Sequence, residues 1–221
     1  MQYSTFTEWV LQNGINQQTL ELLVSITIVA TIVSIFRYIF GTKSYGIYAP
    51  IILAISYSYT GLRYGLAVTI LVILTTLASH TILKKIRMHY ITRIAINYCI
   101  LAISLILFIV LIHNFGLGLQ NISQIPPLAL ISIATLSDFF IKQYIQKSVK
   151  ITFSTLAGTI LVATIGWFVI TRDTVSEYIV NNLWIIPLLV VANTLIGQFK
   201  ELRIKEIIRF NSIINEKEDV K

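Results

Sequence analysis

The sequence predicts an all-α polytopic membrane protein with seven transmembrane helices. Of its 221 residues, 56% are hydrophobic and only 12% are charged, with a mean hydropathy of +0.79. A soluble domain carries roughly 25% charged residues, so this composition cannot cover a water-facing surface. Apolar runs of about 20 residues, enough to cross about 30 Å of hydrocarbon, recur along the chain. The third observation that predicts the membrane spans is the distribution of Lys and Arg between the apolar runs.

The spans follow in order from the apolar runs. Residues 1–19 contain neither Lys nor Arg, so they lack the basic region of a cleavable signal peptide and are expected to form an outer segment. The membrane domain is expected to fill residues 20–199, and residues 200–221 to form a cytoplasmic amphipathic helix with a charged tail. The predicted spans are Leu20–Phe40, Gly46–Leu62, Gly65–Leu83, Ile94–His113, Pro126–Phe140, Ile151–Ile170 and Asn182–Phe199.

Charge counting favours seven spans. With the N-terminus outside, alternation places 15 of the 17 basic residues on the cytoplasmic side and leaves Arg63 and Arg172 outside. If both short segments were re-entrant, five spans would remain and the best split would be 12 to 5. The positive-inside rule therefore predicts an N-out, C-in topology in the cytoplasmic (inner) membrane. It also accounts for the net charge of +7, so we expect a lipid bilayer as partner and no nucleic acid.

Two short, proline-opened segments suggest an internal repeat. One contains Pro50 and the other opens with Pro126 and Pro127, about 76 residues later. Each lies between full-length spans, so residues 20–83 and 94–170 form two triplets of opposite orientation, an inverted 3+3 repeat, with 182–199 as the seventh helix. Paired short Pro/Gly-interrupted helices point to a midplane site in transporter-like folds. The alternative is that Pro is common at helix starts, where its missing N–H costs nothing.

These short segments supply the candidate substrate-binding residues: Gly46, Pro50, Tyr57, Thr60, Gly61, Pro126, Pro127 and Asp138. Asp138 is expected to close the second short span. A carboxylate in hydrocarbon is costly and should face a cavity or a basic partner; alternatively, this helix end lies at the cytoplasmic interface. Beyond Asp138 we expect an amphipathic turn on the membrane surface, with Lys142 and Lys147 towards anionic headgroups.

The C-terminal extension supplies a candidate partner-binding or structural motif: Arg203, Glu206, Arg209 and Phe210. Arg203 is expected to pair with Glu206 or with an acid such as Asp138. One cysteine, Cys99, leaves no disulfide within the chain. His80 and His89 have no second ligand at metal spacing, so neither a metal nor a cofactor is predicted.

Two blocks of sequence resemble a bacterial family of seven-transmembrane domains. The first comprises Gly46, Pro50, Thr60-Gly61-Leu62 and Gly65, and the second is Arg203–Phe210. The resemblance covers about residues 20–210, and that family usually follows an inactive transglutaminase-like domain, which is expected to be absent here. Asp138 stands where the family tends to have Glu. The resemblance implies work beside cytoplasmic ATP-grasp peptide or glutamate ligases. More distantly, the Gly/Pro helices are similar to the membrane subunit of poly-γ-glutamate capsule synthesis.

Three function classes remain to be weighed. An intramembrane enzyme needs positioned acids, bases or nucleophiles, and the sequence has no Gly-x-Ser-x-Gly, no paired intramembrane aspartates and no His/Glu zinc cluster, so no catalytic residue is predicted. A scaffold or subunit acting with cytoplasmic partners is favoured. The alternative is a carrier for a small or lipid-linked substrate at the short helices. A carrier needs a polar cavity there, whereas a scaffold can be packed dry. Short spans would also allow a homo-oligomer.

Overall fold

The protein is described by a computed structural model, which covers residues 5–114, 126–172, 175, 178 and 180–198. The regular structure of these residues is entirely helical, which confirms the predicted all-α class. The helices are α1 Thr5–Gln12, α2 Gln17–Tyr38, α3 Tyr48–Thr60, α4 Leu62–Leu83, α5 Tyr90–Asn114, α6 Pro127–Ala134, α7 Leu136–Gln146, α8 Val149–Ile170 and α9 Ile185–Gln198.

Five apolar segments of the described chain are long enough to cross a membrane. Four of them, within α2, α4, α5 and α8, have 22 residues each, and the fifth is the 20-residue stretch Pro127–Gln146 that holds α6 and α7. The 14 residues of α9 form a shorter apolar helix. These helices make the chain a multi-pass membrane protein.

The first short helix is shorter than the apolar run that predicted it. Helix α3 has 13 residues, or about 20 Å at 1.5 Å per residue, less than the hydrocarbon thickness. It is bounded by two glycines with positive φ angles, Gly46 at +62° and Gly61 at +75°. Because this backbone conformation is incompatible with an α-helix and is strained for other residues, Gly46 and Gly61 lie outside the helix that they enclose.

The chain divides into two compact units, Met1–Ile51 with Ala157–Lys221, and Ile52–Leu156. In the first unit α9 packs along α2, and Asn193 on α9 donates a 2.8 Å hydrogen bond to Thr31 Oγ1 on α2. The Thr7 hydroxyl of α1 donates to the carbonyl of Val180. The apolar core of this unit is Val10, Leu20, Val24, Ile28, Val180 and Leu183.

Helix α4 is the centre of the second unit, where it packs against α5, α6 and α7. Its buried face carries small and hydroxyl residues: Gly65, Thr69, Thr76 and Ser79. Lipid tails are as apolar as leucine, so helices in a membrane associate through close van der Waals packing and interhelical hydrogen bonds. A face of this kind suits three neighbouring helices.

The second short segment is interrupted for one residue at Thr135, whose backbone keeps the helical φ and ψ angles of −62° and −21°. Helix α6 ends at Ala134 and α7 begins at Leu136. The hydroxyl of Thr135, which lies between them, donates a 2.7 Å hydrogen bond to the carbonyl of Ser132. Such back-bonding bends helices. The sequence predicted that Asp138 closes this span, but Asp138 lies in the first turn of α7. A carboxylate is favoured there because the positive end of the helix dipole is nearby.

Candidate functional site

Three polar side chains of the first short helix, those of Ser56, Tyr57 and Thr60, are buried, whereas Tyr48, Ser58 and Tyr59 are exposed. The Tyr57 side chain is fully buried, and its hydroxyl lies 2.9 Å from Thr69 Oγ1 on α4. Because Thr69 donates its own proton to the carbonyl of Gly65 at 2.7 Å, Tyr57 is the donor of this pair. Thr60 donates to the carbonyl of Ser56 at 2.9 Å. Tyr57 therefore uses its hydroxyl to join α3 to α4, whereas the Thr60 hydroxyl is bonded within α3.

The glycines at the turn between α3 and α4 are required by its backbone geometry and by the close packing of the two helices. Gly61, with its φ of +75°, is the N-cap of α4. A Cβ at Gly65 would overlap the Tyr57 ring and lie 2.8 Å from Thr60 Oγ1. The block of sequence from Thr60 to Gly65 thus encodes a sharp turn between two closely packed helices. Gly46 and Pro50 belong to the first unit, where Gly46 is exposed and Pro50 is buried in the first turn of α3.

The two prolines of the second short segment occupy a helix start. Pro126 is the N-cap of α6 and Pro127 its first residue, a position whose N–H would have no intrahelical partner anyway. Pro127 is exposed and Pro126 is partly buried.

Asp138 is the candidate residue with the most informative surroundings. The Tyr98 hydroxyl on α5 donates a 2.8 Å hydrogen bond to Asp138 Oδ2 on α7. The preceding residues on the two helices also meet, since the side-chain nitrogen of Asn97 lies 3.5 Å from Ser137 Oγ. Asn97 and Ser137 are almost completely buried. Two adjacent polar pairs therefore join α5 to α7 within an otherwise apolar region.

Several buried polar atoms in this unit have no hydrogen-bond partner among the described residues. They are Thr76 Oγ1, Ser79 Oγ, Arg93 Nε, Asn97 Oδ1, Asp138 Oδ1 and Gln143 Oε1. Most buried polar atoms in proteins are paired, and an unpaired one costs about 1–3 kcal/mol. Each of these six atoms, on α4, α5 and α7, is a hydrogen-bonding position that a water molecule or a ligand group would satisfy.

Sequence reasoning identified Asp138 but missed its partners. Asn97, Tyr98 and Ser137 were read as parts of apolar spans. The sequence did contain one signal of polar helix faces. Arg93 and Asn97 are four residues apart on α5, and Thr76 and His80 are four residues apart on α4, so each pair lies on one face of its helix. His80 lies edge-on to the Tyr144 ring, 5.4 Å between centroids, and Cys99 is exposed.

Other predicted positions have different outcomes. Arg203, Glu206, Arg209 and Phe210 lie outside the described residues, and with them the expected pairing of Arg203 with Glu206 or Asp138. Within the part of the chain that the structure describes, no three His, Cys, Asp or Glu residues gather as metal ligands would.

Comparison with known proteins identifies the family. A family described as seven transmembrane helices usually fused to an inactive transglutaminase matches residues 3–214. The chain belongs to this family. Membership in the seven-helix transglutaminase-associated family confirms the family that the sequence resembles. No curated protein and no solved structure matches the chain. The domain to which this seven-helix family is usually fused is an inactive enzyme, so the family description supplies no catalytic activity.

Proposed function

We propose that this protein is an integral membrane subunit that acts with cytoplasmic partners. The observation that carries the proposal is its membership in a family of membrane domains usually fused to an inactive transglutaminase. The usual fusion partner of this family is inactive, which favours a binding role over turnover. By resemblance, the cytoplasmic partner is an ATP-grasp peptide or glutamate ligase.

The topology that goes with this proposal has seven spans, arranged as an inverted 3+3 repeat plus α9, with the N-terminus outside. The loop between α4 and α5 then faces the cytoplasm, and it exposes Lys84, Lys85 and Arg87. Lys142 and Lys147, near the end of α7, are also exposed. A basic surface of this kind would attract an acidic partner or a polyanionic product.

Site-specific photo-crosslinking tests the subunit proposal. A photoreactive amino acid at Lys85 or Arg87, in cells that also produce an ATP-grasp ligase from the same organism, should capture that ligase. The same group at Ile106, an exposed apolar position on α5, is the matched control and should capture only lipid or other membrane components. Equal capture at all three positions, or no capture at Lys85 and Arg87, would reject the proposed partner.

The carrier alternative is supported by the unpartnered polar atoms on α4, α5 and α7, Asp138 Oδ1 among them. Single cysteines at Tyr57, Thr60 and Asp138, in a Cys99→Ser background, separate the two functions. Labelling of these positions by a small water-soluble thiol reagent would show a hydrated pathway and favour a carrier. If Lys85→Cys reacts while all three remain unlabelled, the bundle is dry and the carrier is rejected. The predicted topology is tested in the same membranes, because Lys85→Cys and Arg172→Cys should react from opposite sides.

A further inference from the structure

Helices α4 and α5 of the second unit enclose an open apolar groove, the α4–α5 groove. Its volume is about 350 Å³, and its lining includes Leu71 of α4 and Ile100, Ser104 and Leu107 of α5. Among the described residues that line it, Ser104 alone is polar, and its hydroxyl lies 2.8 Å from Thr75 Oγ1 on α4. The wall of the groove therefore offers a ligand apolar contacts rather than hydrogen bonds.

The α4–α5 groove lies at the depth of the hydrocarbon. Its α5 residues belong to the apolar span Ile91–Ile112, of which only 11% is buried, the smallest share among the five long spans of the described chain. Ile103, Leu107 and Leu111 are exposed along the groove. Lipid tails match such aliphatic side chains in polarity. The occupant that these surroundings supply is therefore an acyl chain.

Basic residues gather at the end of this helix pair that the proposed topology places in the cytoplasm. Lys84 is the C-cap of α4 and Arg93 lies in the first turn of α5. Both act electrostatically on His80, near the end of α4, so the three side chains lie close together. Lys85 and Arg87 are exposed in the connecting loop. A negatively charged group at this end of the helices would meet several positive charges at once.

The surrounding sequence does not neutralise these charges. No Asp or Glu occurs between Glu21 and Asp138. Asp138 accepts a hydrogen bond from Tyr98, which follows Arg93 by five residues and so lies about 140° away around α5. The basic end of the α4–α5 pair is therefore complementary to an anion.

The basic end and the groove lie on one face of α5. Ile100 follows Arg93 by seven residues and Leu111 follows it by eighteen, and at 3.6 residues per turn both return to within about 20° of the direction of Arg93. At 1.5 Å per residue, Ile100 lies about 10 Å and Leu107 about 21 Å from Arg93 along the helix axis. One leaflet of hydrocarbon is about 15 Å thick. An acyl chain whose headgroup lies at Arg93 therefore reaches the nearer part of the groove.

We propose that this face of α4 and α5 binds one anionic phospholipid, with its phosphate against Arg93 and Lys84 and an acyl chain in the α4–α5 groove. Basic pockets between transmembrane helices on the cytoplasmic side bind anionic headgroups. In this protein the groove adds a site for the chain. The proposal goes beyond the proposed function, because it applies to a subunit as well as to a carrier. It shares with the proposed function only the cytoplasmic side of the loop between α4 and α5.

Native mass spectrometry of the purified full chain in detergent measures the affinity for the first bound lipid. The probes are phosphatidylglycerol and phosphatidylcholine with identical acyl chains, and glycerol phosphate, which carries the phosphate without a chain. The wild type should bind phosphatidylglycerol more tightly than phosphatidylcholine, by about fivefold for each basic residue that meets the anionic headgroup. Glycerol phosphate should bind far more weakly than either lipid. In the full chain, the acids of residues 200–221 compete for the same cations if they reach them.

Two pairs of variants test the headgroup and the chain separately. Arg93→Gln should weaken binding of phosphatidylglycerol about fivefold. Its matched control is Lys150→Gln, which removes the same charge from an exposed position at the start of α8 and should have little effect. Leu107→Trp fills the groove and should weaken binding of both lipids. Its matched control is Ile106→Trp, because Ile106 is equally exposed on α5 but lies about 140° around the helix from Arg93.

Equal affinity of the wild type for the two lipids would overturn the proposal. Equal losses in Arg93→Gln and Lys150→Gln would also overturn it, because they would indicate a diffuse surface charge. Glycerol phosphate that binds as tightly as the lipid would replace the lipid site with a simple anion site. If Arg93→Gln does not fold, Lys84→Gln and Leu107→Trp decide, and unchanged lipid binding in both would reject the proposal.

A protein partner at the same basic residues gives a different result. In that case Arg93→Gln would lower capture of the ligase by the photoreactive group at Lys85, and the wild type would show no preference for phosphatidylglycerol. That combination would overturn the lipid site and leave the proposed function standing. A lipid preference without any ligase capture would do the reverse.

Discussion

The backbone N–H of Tyr45 donates a 3.0 Å hydrogen bond to the Thr159 hydroxyl, 114 residues further along the chain. One residue before Thr159, Gly158 lies against the backbone carbonyl of Lys43. The segment between α2 and α3 therefore packs closely against α8. The Thr159 hydroxyl supplies a hydrogen bond, and the lack of a side chain at Gly158 allows the backbones to approach. Small residues allow this close approach of backbones in membrane proteins.

A first prediction concerns Gly158. A Cβ there would overlap the Lys43 carbonyl oxygen and lie 3.3 Å from the carbonyl carbon. Because backbone atoms cannot move aside as a flexible side chain does, Gly158→Ala should destabilise the protein by about 1–3 kcal/mol, the usual cost of overpacking. Chemical unfolding in mixed micelles measures this change. Gly197→Ala is the control, since a Cβ there meets no atom within 4 Å. Equal stability of the two variants would contradict the contact.

A second prediction concerns the pair Tyr57 and Thr69. Because Thr69 keeps its bond to the Gly65 carbonyl, Tyr57→Phe removes one hydrogen bond and leaves Thr69 partly satisfied. We expect a loss of about 0.5–1.5 kcal/mol. A double-mutant cycle with Thr69→Val should give a coupling energy of about 0.6 kcal/mol, typical of interhelical hydrogen bonds in membranes. Strictly additive effects would show that the 2.9 Å contact contributes nothing.

A third prediction concerns Asn193 on α9. Its amide nitrogen donates to Thr31 Oγ1 at 2.8 Å and to the Leu189 carbonyl at 2.9 Å. Asn193→Leu should loosen α9 from α2, because the apolar contacts of α9 compete with lipid while the hydrogen bond does not. Crosslinking between cysteines introduced at Ile28 and Leu189, which belong to the same packed cluster, should become slower in Asn193→Leu. Thr194→Val is the control, since the exposed Thr194 hydroxyl donates to the Val190 carbonyl within α9. An equal slowing in Thr194→Val would assign the effect to the helix itself.

A fourth prediction concerns pH. Burial raises the pKa of the Tyr45 phenol, which lies outside the five long spans. In the unfolded chain this phenol ionises near pH 10, whereas in the folded protein it stays neutral. The folded state therefore binds more protons above about pH 10, and stability falls as the pH rises through that range. The thermal midpoint should fall less steeply between about pH 9 and 11 in Tyr45→Phe than in the wild type. Parallel pH profiles would contradict a buried neutral phenol.

Part of the candidate site could be read from the sequence. Asp138 stands out because an acid in an apolar run is rare, and Gly61 and Gly65 were noted as part of a motif. Their roles needed the structure: Gly61 supplies a positive φ, and Gly65 makes room for the Tyr57 ring. The Tyr98–Asp138 pair joins residues 40 apart, and no local periodicity specifies which residue of one helix faces which residue of another.

The sequence by itself determined that this protein is helical and lies in a membrane, because 56% hydrophobic residues in runs of about 20 leave no other place for the backbone. It also located most of the long helices. Only the tertiary structure decided where the second short segment breaks, which helices α4 packs against, and that Tyr57 and Thr60 turn inward while Asp138 meets Tyr98. Helices in lipid have nearly uniform apolar surfaces, so sequence pattern hardly specifies their neighbours. A few hydroxyls, amides and glycines determine which helices pack together, and their interactions form only once two helices are in contact.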